Sequence, residues 1–366
     1  MTTSIPTYFH EVSDPRVTGR CLHLLSDILL LGLCTYITGG TDFQDMHLFG
    51  IERSSTLGGL LSLPNGIPSE DTFERVFKSI DPEELQGCLH KYGSSILSEL
   101  AEKQIAIDGK KQRGASPTTK GNKGLYLLNV WVSENRICIA QEKVEDKSNE
   151  ITAIPKALES IDITDAIVSI DAMGAQREIA EFIVDKGGHY FLAVKNNQKA
   201  LYEDLECAFK VHAGYDSDET LDADHGRIET RRCSILPAKE FLMEETISSW
   251  KELRTIIRVQ TIRETKEKTT QETRYYISDK EESNAAYFNA LARGHWGIEN
   301  QLHWHLDVTF KEDQCRARAG YSSQNLSVLR KLALQVVSSQ KDKLSVKRRL
   351  YKAALDGAYL TKMLGI

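Results

Sequence analysis

The spacing of apolar residues changes twice along this chain, and each change marks a different kind of element. The first hundred residues read as helices. Ile28–Thr38 is a dense apolar run between Asp27 and Asp42, ending toward Gly39-Gly40. A membrane span needs about 20 such residues, so this run predicts a buried helix. Ser69-Glu70-Asp71 follows Pro68 and places a hydroxyl cap and two acids at a helix start. Phe73, Val76, Phe77 and Ile80 then recur at helical spacing. Asp81-Pro82-Glu83-Glu84 repeats the device with Pro in the first turn. Two capped helices across a short turn fit a helix-turn-helix or plain helix packing.

From Lys103 the pattern is that of strands. Gln104–Ile107 is short and apolar and ends at Asp108-Gly109. Leu125–Val132 and Ile137–Val144 are rich in β-branched and aromatic residues, and Ser133-Glu134-Asn135 between them predicts a hairpin. Asn149–Ile161 predicts a helix that must place or bend around Pro155. Ala166–Ile170 is a buried-strand pattern ending at Asp171. Gln176–Lys186 predicts a helix closed by Gly187-Gly188, and Tyr190–Val194 another strand. The order β-β-β-α-β-α-β predicts an antiparallel meander followed by crossover helices, hence a mixed α/β sheet. Residues 199–285 read as a β-rich insertion, with strands at Arg232–Leu236, Leu253–Arg263 and Thr273–Ile277. Helices resume near Ser283 and break around Arg318–Ser323.

Composition narrows the setting. Seven scattered cysteines, never in a C-x-x-C pair, argue against a disulfide framework or a zinc ribbon and for a reducing compartment. The N-terminal MTTSIPTYFHEVSDPR lacks the pattern of a signal peptide, so a cytoplasmic protein with no membrane partner is expected. The net charge of −6 gives no global support for nucleic-acid binding. Its distribution does, because residues 314–352 carry ten Lys or Arg against one acid, Asp342. Such a stretch suits phosphate contact, and it suits a solvated helical tail equally.

The candidate chemistry lies in three acids. Asp108 and Asp171 each end a predicted strand, and in open α/β sheets that edge is where sites form. Carboxylates are hard ligands for Mg²⁺ or Mn²⁺, and a two-ion site suits phosphoryl transfer. Glu299, between His295 and His303 in RGHWGIENQLHWHLDVTFKEDQCR, is the candidate third acid. Asp307, eight residues later, is its closest rival. The H-x-x-x-E-x-x-x-H spacing leaves open a zinc or iron site, or simply packed histidines at His303 and His305. Candidate DNA contacts are Lys110, Lys111 and Arg113 after the first acid, and Lys195, Asn197 and Gln198 after the last core strand. His225, Arg227, Arg231 and Arg232 in the insertion, His295 and Trp296 beside the glutamate, and Arg316 complete the set.

At this point AIDGKKQRGA (106–115), SIDAMGAQREIA (169–180), FLAVKNNQ (191–198), HGRIETRR (225–232) and HWGIENQLHWHLDVTFKED (295–313) resemble the H-repeat-associated insertion-sequence transposases, a branch of the DDE transposases. LSDILLLGLC (25–34) and PNGIPSEDTFERVF (64–77) resemble the helical domain preceding the catalytic core there. The resemblance implies a ribonuclease-H-like core from residues 101–198 and 286–366, a β-rich insertion over 199–285, and an N-terminal helical domain over 1–100. It implies a catalytic and metal-binding triad of Asp108, Asp171 and Glu299 with two Mg²⁺ or Mn²⁺ ions. It implies water attack at an element end, then attack of the freed 3′-hydroxyl on target DNA. Double-stranded DNA as partner, a homodimer in the synaptic complex and a place at the bacterial nucleoid follow from the same likeness.

One departure is visible. Related transposases of the larger group carry a Y-R-E-K signature around the glutamate. Here Leu306 stands where the lysine would be and His295 where the arginine would be, so Arg293, His295 or Lys311 are candidates for the phosphate-clamping role. A DNA-binding relic without transposition, or a nuclease that does not join strands, are the alternative readings.

Overall fold

The computed structural model describes residues 5–97, 100–115, 124–144, 150–224, 226–281 and 283–365. Asn149, expected to open a helix, and His225, a candidate phosphate contact, lie outside them. Five helices come first: α1 (Ile5–Phe9), α2 (Leu25–Ile37), α3 (Phe43–Arg53), α4 (Glu70–Ser79) and α5 (Pro82–Ile96). Strands β1 (Gln104–Lys111), β2 (Tyr126–Val132) and β3 (Ile137–Val144) follow as a meander. Then α6 (Glu150–Leu158), β4 (Ile167–Ile170), α7 (Arg177–Asp185), β5 (His189–Val194) and α8 (Lys199–Val211) alternate. Strands β6 (Asp216–Asp224) and β7 (Arg227–Pro237) precede the short α9 (Ala238–Phe241) and α10 (Glu244–Ser248). Strands β8 (Thr255–Thr265) and β9 (Thr269–Ser278) lead to α11 (Ala285–His295), α12 (Ser322–Ser338), α13 (Val346–Leu355) and α14 (Gly357–Met363).

Among the described residues nine strands form one sheet in the order β3-β2-β1-β4-β5-β9-β8-β7-β6. The β1–β4 and β4–β5 ladders are parallel, as crossover connections through α6 and α7 require, and the others are antiparallel. The strands of 199–285 therefore extend the core sheet directly, through β5–β9 pairing from Phe191↔Ser278 to Val194↔Tyr275. Besides the short α9 and α10, strand β6 and helix α8 of that segment escape the sequence pattern. Strand β6 is acidic (DSDETLDAD) because it is the sheet edge, paired on one side only, where charge discourages further pairing. Helix α8 buries Leu201, Leu205, Ala208 and Phe209, a helical spacing inside what otherwise reads as β-rich sequence.

The N-terminal helices do not close a core of their own. Helix α2 is buried almost all round and packs on α12, nearly three hundred residues on in the chain. Gly32 permits that approach, since a Cβ there would meet Leu329 at 2.9 Å. Helices α4 and α5 also pack on α12, the plain-packing outcome for the two capped helices. The Asn325 amide donates to the carbonyls of Phe77 and Ile80, both at 2.9 Å, tying the end of α4 to α12. At its start Asp81 caps α5 as expected, accepting from Glu83 N–H at 3.0 Å, whereas the Ser69 hydroxyl turns to Thr72 instead of capping α4. Among the described residues no helix is long and apolar enough to cross a membrane.

Candidate active site

Asp108 and Asp171 are placed by one ladder. Strands β1 and β4 run parallel from Gln104↔Ile167 to Ile107↔Ile170, and the two aspartates are the next residue on each. Strand β1 does not end at Asp108, as its sequence suggested. It continues to Lys111, held by β2 on its other side, with Asp108 opposite Asn129. Chain β4 instead turns at once into a short 3-10 helix, and the Asp171 carboxylate caps it by accepting from Met173 N–H (3.1 Å) and Gly174 N–H (3.5 Å). Parallel strands thus part at the two acids and leave their side chains along one cavity.

Glu299 comes to that cavity from the far end of α11. Beyond His295 the backbone widens into π-helical turns over Ile298–His303 and His305–Thr309, with Trp304 N–H bonded to the Glu299 carbonyl. These turns replace the i→i+4 hydrogen bonds of an α-helix with i→i+5 bonds, and His295 and His303 make their contacts on different strands. His295 Nδ1 meets Ser169 Oγ at 3.1 Å on β4. His303 is buried, its Nε2 3.2 Å from the Asn129 amide and its Nδ1 3.6 Å from Asp108 Oδ2. Glu299 itself is exposed. The zinc or iron arrangement is therefore not what the fold builds: the two histidines address different strands.

Asp108, Asp171 and Glu299 line a cavity of about 180 Å³ together with Lys195, His295, Trp296 and Arg274. Burial, then the charge of Asp171, pushes the Asp108 carboxyl up to about 7, with Glu150 and Glu299 adding to the rise and the Gly109 N–H opposing it. Burial likewise pushes His295 down to about 4, against the opposing charge of Asp171. Hard carboxylates crowded to the point of holding a proton are a donor set that a divalent cation would relieve. Among the described residues no three His, Cys, Asp or Glu side chains already stand close enough to hold a metal ion, so the acids line the site without yet being drawn together.

Several of the expected DNA contacts are occupied elsewhere. Lys110 is buried, and its ammonium pairs with Asp307 (2.6 Å), Glu312 (3.2 Å) and Asp313 (3.5 Å). Burial alone would depress it, yet these carboxylates hold its pKa above the ordinary value. Asp307, the rival third acid, is engaged in this pair and does not line the cavity of Asp108, Asp171 and Glu299. The Asn197 amide donates to the Ala172 carbonyl and the Gln198 amide to Ala175 (2.9 Å), so both clasp the turn that follows Asp171. Arg113 is exposed and leans on Asp313 (3.5 Å), while Lys111, Lys195 and Arg316 are exposed. Of these, Lys195 lines the acid cavity. Arg227 lies in a neighbouring cavity, and Trp296 lines both, its ring 4.4 Å from the Arg274 guanidinium.

The basic C-terminal stretch is also divided. Arg330, Lys331 and Arg349 are buried, Arg330 against the Tyr36 ring (4.9 Å) and Arg349 on Asp342 (2.8 Å). They are structural cations, leaving Arg316, Arg318, Lys341, Lys343, Lys347, Arg348 and Lys352 exposed. Three residues near the acids had no motif to announce them: Asn129, opposite Asp108; Glu150, which hydrogen-bonds Tyr126; and Arg274. Neither β2 (YLLNVWV) nor β9 (TTQETRYYIS) alternates between polar and apolar residues, and only the ladder register brings Asn129 and Arg274 to the site.

Comparison with known proteins settles the family. The sequence model described as "Transposase DDE domain" matches residues 79–336, and that described as "DDE_Tnp_1-associated" matches residues 7–93. The chain belongs to the DDE transposase family. YncI of Escherichia coli O157:H7, named as a transposase, is 37% identical over 99% of this chain and 94% of its own length. YhhI of Escherichia coli strain K12, named as an H-repeat-associated transposase, is 34% identical over 96% of this chain and 95% of its own. A cryo-EM piggyBac transposase synaptic complex with hairpin DNA aligns over 99% of this chain and 78% of that one, at 11% identity and a TM-score of 0.45. This transposase is of the H-repeat type, an insertion-sequence enzyme that cuts and joins DNA with divalent metal dependence.

Proposed function

We propose that Asp108, Asp171 and Glu299 are the catalytic acids of this transposase and hold two Mg²⁺ or Mn²⁺ ions in a ribonuclease-H-like core. The observation that carries this reading is the shared cavity. Three carboxylates from β1, the end of β4 and the π-helical turn after α11 line it together, and the two on the parallel strands already compete for charge. When bound, the ions would supply a Lewis-acid clamp on the attacking and leaving oxygens of a phosphodiester. The order β3-β2-β1-β4-β5, with β1 antiparallel to β2 and parallel to β4, supports the core assignment.

The chain's own groups do the positioning. Gly109 N–H sets Asp108, and the N–H groups of Met173 and Gly174 set Asp171. Asn197 and Gln198 fix the turn behind it. Lys195, exposed on the cavity wall that Arg274 also lines, would meet a phosphate oxygen, and neutral His295 accepts or donates at Ser169 without adding charge. Water then opens the phosphodiester at the element end, giving a 5′-phosphate and a 3′-hydroxyl. That hydroxyl attacks a target phosphodiester, forming the new bond as the target's own 3′-oxygen leaves. Two copies of the chain would act on paired ends at the nucleoid.

The test is nicking and joining of duplexes bearing the gene's own flanks, with Mg²⁺, Mn²⁺ or EDTA, for the parent and Asp171→Asn. Metal-dependent cuts at fixed positions, lost in Asp171→Asn while DNA binding persists, are expected. Cleavage that survives Asp171→Asn would place the chemistry elsewhere. Binding without cleavage in either protein would favour the relic.

A further inference from the structure

Next to the acids, one face of the sheet carries charge where the pattern calls for core. Along β7 the residues at alternate positions share a face. Cys233 and Ile235 on that face join Ile257, Val259 and Tyr276 under Phe288, Leu291 and Ala292 of α11. Continuing toward the strand's start, the same face presents Arg231, Glu229 and Arg227. Across the ladders Arg263 stands opposite Glu229, and Arg274 opposite Val259. With Arg293 and Trp296 from the end of α11, they enclose a cavity of about 160 Å³. It shares Arg274, Tyr276 and Trp296 with the acid cavity.

The internal charges do not balance. Glu229 is buried and receives Arg231 at 2.6 Å and Arg263 at 2.9 Å, with Arg293 at 3.6 Å and Arg227 at 3.9 Å. Arg293 also reaches Asp222 (3.3 Å), and Arg274 reaches Glu272 (2.8 Å). Five guanidiniums thus face three carboxylates, two of them about half exposed. Each guanidinium carries five N–H donors, and one carboxylate cannot accept what four of them offer. A planar fork matches phosphate as well as carboxylate, and usually in pairs.

We propose that this arginine cavity binds a backbone phosphate of the DNA strand whose neighbouring phosphodiester lies at the acids, and that Glu229 is the internal anion the phosphate displaces. The proposal rests on the acid cavity being where DNA is cut. It joins the candidate contacts Arg227, Arg231 and Arg293 to Arg263 and Arg274, and gives the β6–β9 extension of the sheet a task in holding substrate.

The experiment reads binding alone, in the full chain carrying Asp171→Asn, by fluorescence anisotropy on a duplex with the gene's flanks across a potassium chloride series. Arg227→Gln with Arg263→Gln should weaken binding about tenfold and lower the salt slope by about one to two, since each lost phosphate contact removes about one. Arg274→Gln, whose partner Glu272 is half exposed and whose loss strands no buried charge, should weaken it about threefold. Glu229→Gln should act in the opposite direction and tighten binding, because the competing anion is gone. Melting temperatures confirm which variants are folded, and Arg274→Gln carries the test if the others are not. Unchanged affinity and slope in the folded arginine variants would overturn the proposal, as would weaker binding by folded Glu229→Gln. Because cleavage is not the readout, failure of the acid assignment would show separately, as cutting by Asp171→Asn.

Discussion

His303 Nδ1 stands 3.6 Å from Asp108 Oδ2, and the two groups are displaced in opposite directions. Burial, with Lys110 and Lys331 nearby, pushes His303 down to about 3, while burial and the charge of Asp171 push Asp108 up to about 7. For His303 the unfolded chain binds the extra proton. Its contribution is complete above the ordinary histidine value of about 6.5 and is lost as pH falls toward 3. For Asp108 the folded chain binds the extra proton, so its contribution is complete below about 3.8 and is lost as pH rises toward 7. Between pH 4 and 6.5 each changes stability by up to about 1.4 kcal/mol per pH unit, with opposite sign. Metal-free Asp108→Asn should therefore lose stability on acidification more steeply than the parent, and His303→Asn less steeply. Urea midpoints near pH 4.5 and 6.5 check this, and parallel trends in all three proteins would contradict it.

Lys110 should behave as a structural cation. Its three carboxylate partners include Glu312, which is 1% exposed and also accepts from Ser327 Oγ at 2.8 Å. Removing one member of a buried ion network costs about 3–5 kcal/mol because the others keep their charge. Lys110→Met is expected to lower the denaturation midpoint accordingly, while the salt slope of DNA binding by the folded protein stays the same. A reduced slope at unchanged stability would restore the phosphate-contact role its sequence position suggested.

Asn197 and Gln198 should act on turnover without acting on affinity. Both amides are spent on the carbonyls of Ala172 and Ala175, so truncation frees the turn that carries Asp171. Displacing a catalytic group by about 1 Å can cost about a hundredfold in rate. Asn197→Ala is expected to slow cleavage roughly ten- to a hundredfold with DNA affinity held within about twofold. Weaker binding with a shallower salt dependence would mean the amide reaches DNA instead.

What the sequence made legible was local. The meander, the crossover helices and the ends of β4 and β5 follow from periodicity, because an apolar run bounded by Asp or Gly has few alternatives. Strand β6 was illegible because its edge position selects acids over the β-branched residues that signal strands. The π-helical turns around Glu299 were illegible because a four-residue spacing presumes α-helix. Lys110, Arg330 and Lys331 read as surface charge because a charged residue declares its burial only through distant partners, here Asp307, Glu312, Tyr36 and Gln141. The arginines of β7, β8 and β9 lie far apart in sequence and meet only through register.

The division of the chain is the point at which sequence and packing differ most, and it can be measured. Residues 1–100 look like a separate helical unit, yet Leu329 of α12 packs against Gly32 of α2, and Asn325 bonds the end of α4. If these helices form one cooperative unit with α12, a cavity at Leu329 must loosen both. Leu329→Ala should cost about 2–5 kcal/mol, the usual range for a buried leucine. Hydrogen exchange at the amides of Ile28–Ile37 should accelerate by the same factor as at those of α12, since both would open through the same unfolding. An autonomous N-terminal domain would instead keep its protection while α12 alone loses it. That outcome would also predict that residues 5–97 fold in isolation, which the shared core of α2, α4, α5 and α12 argues against.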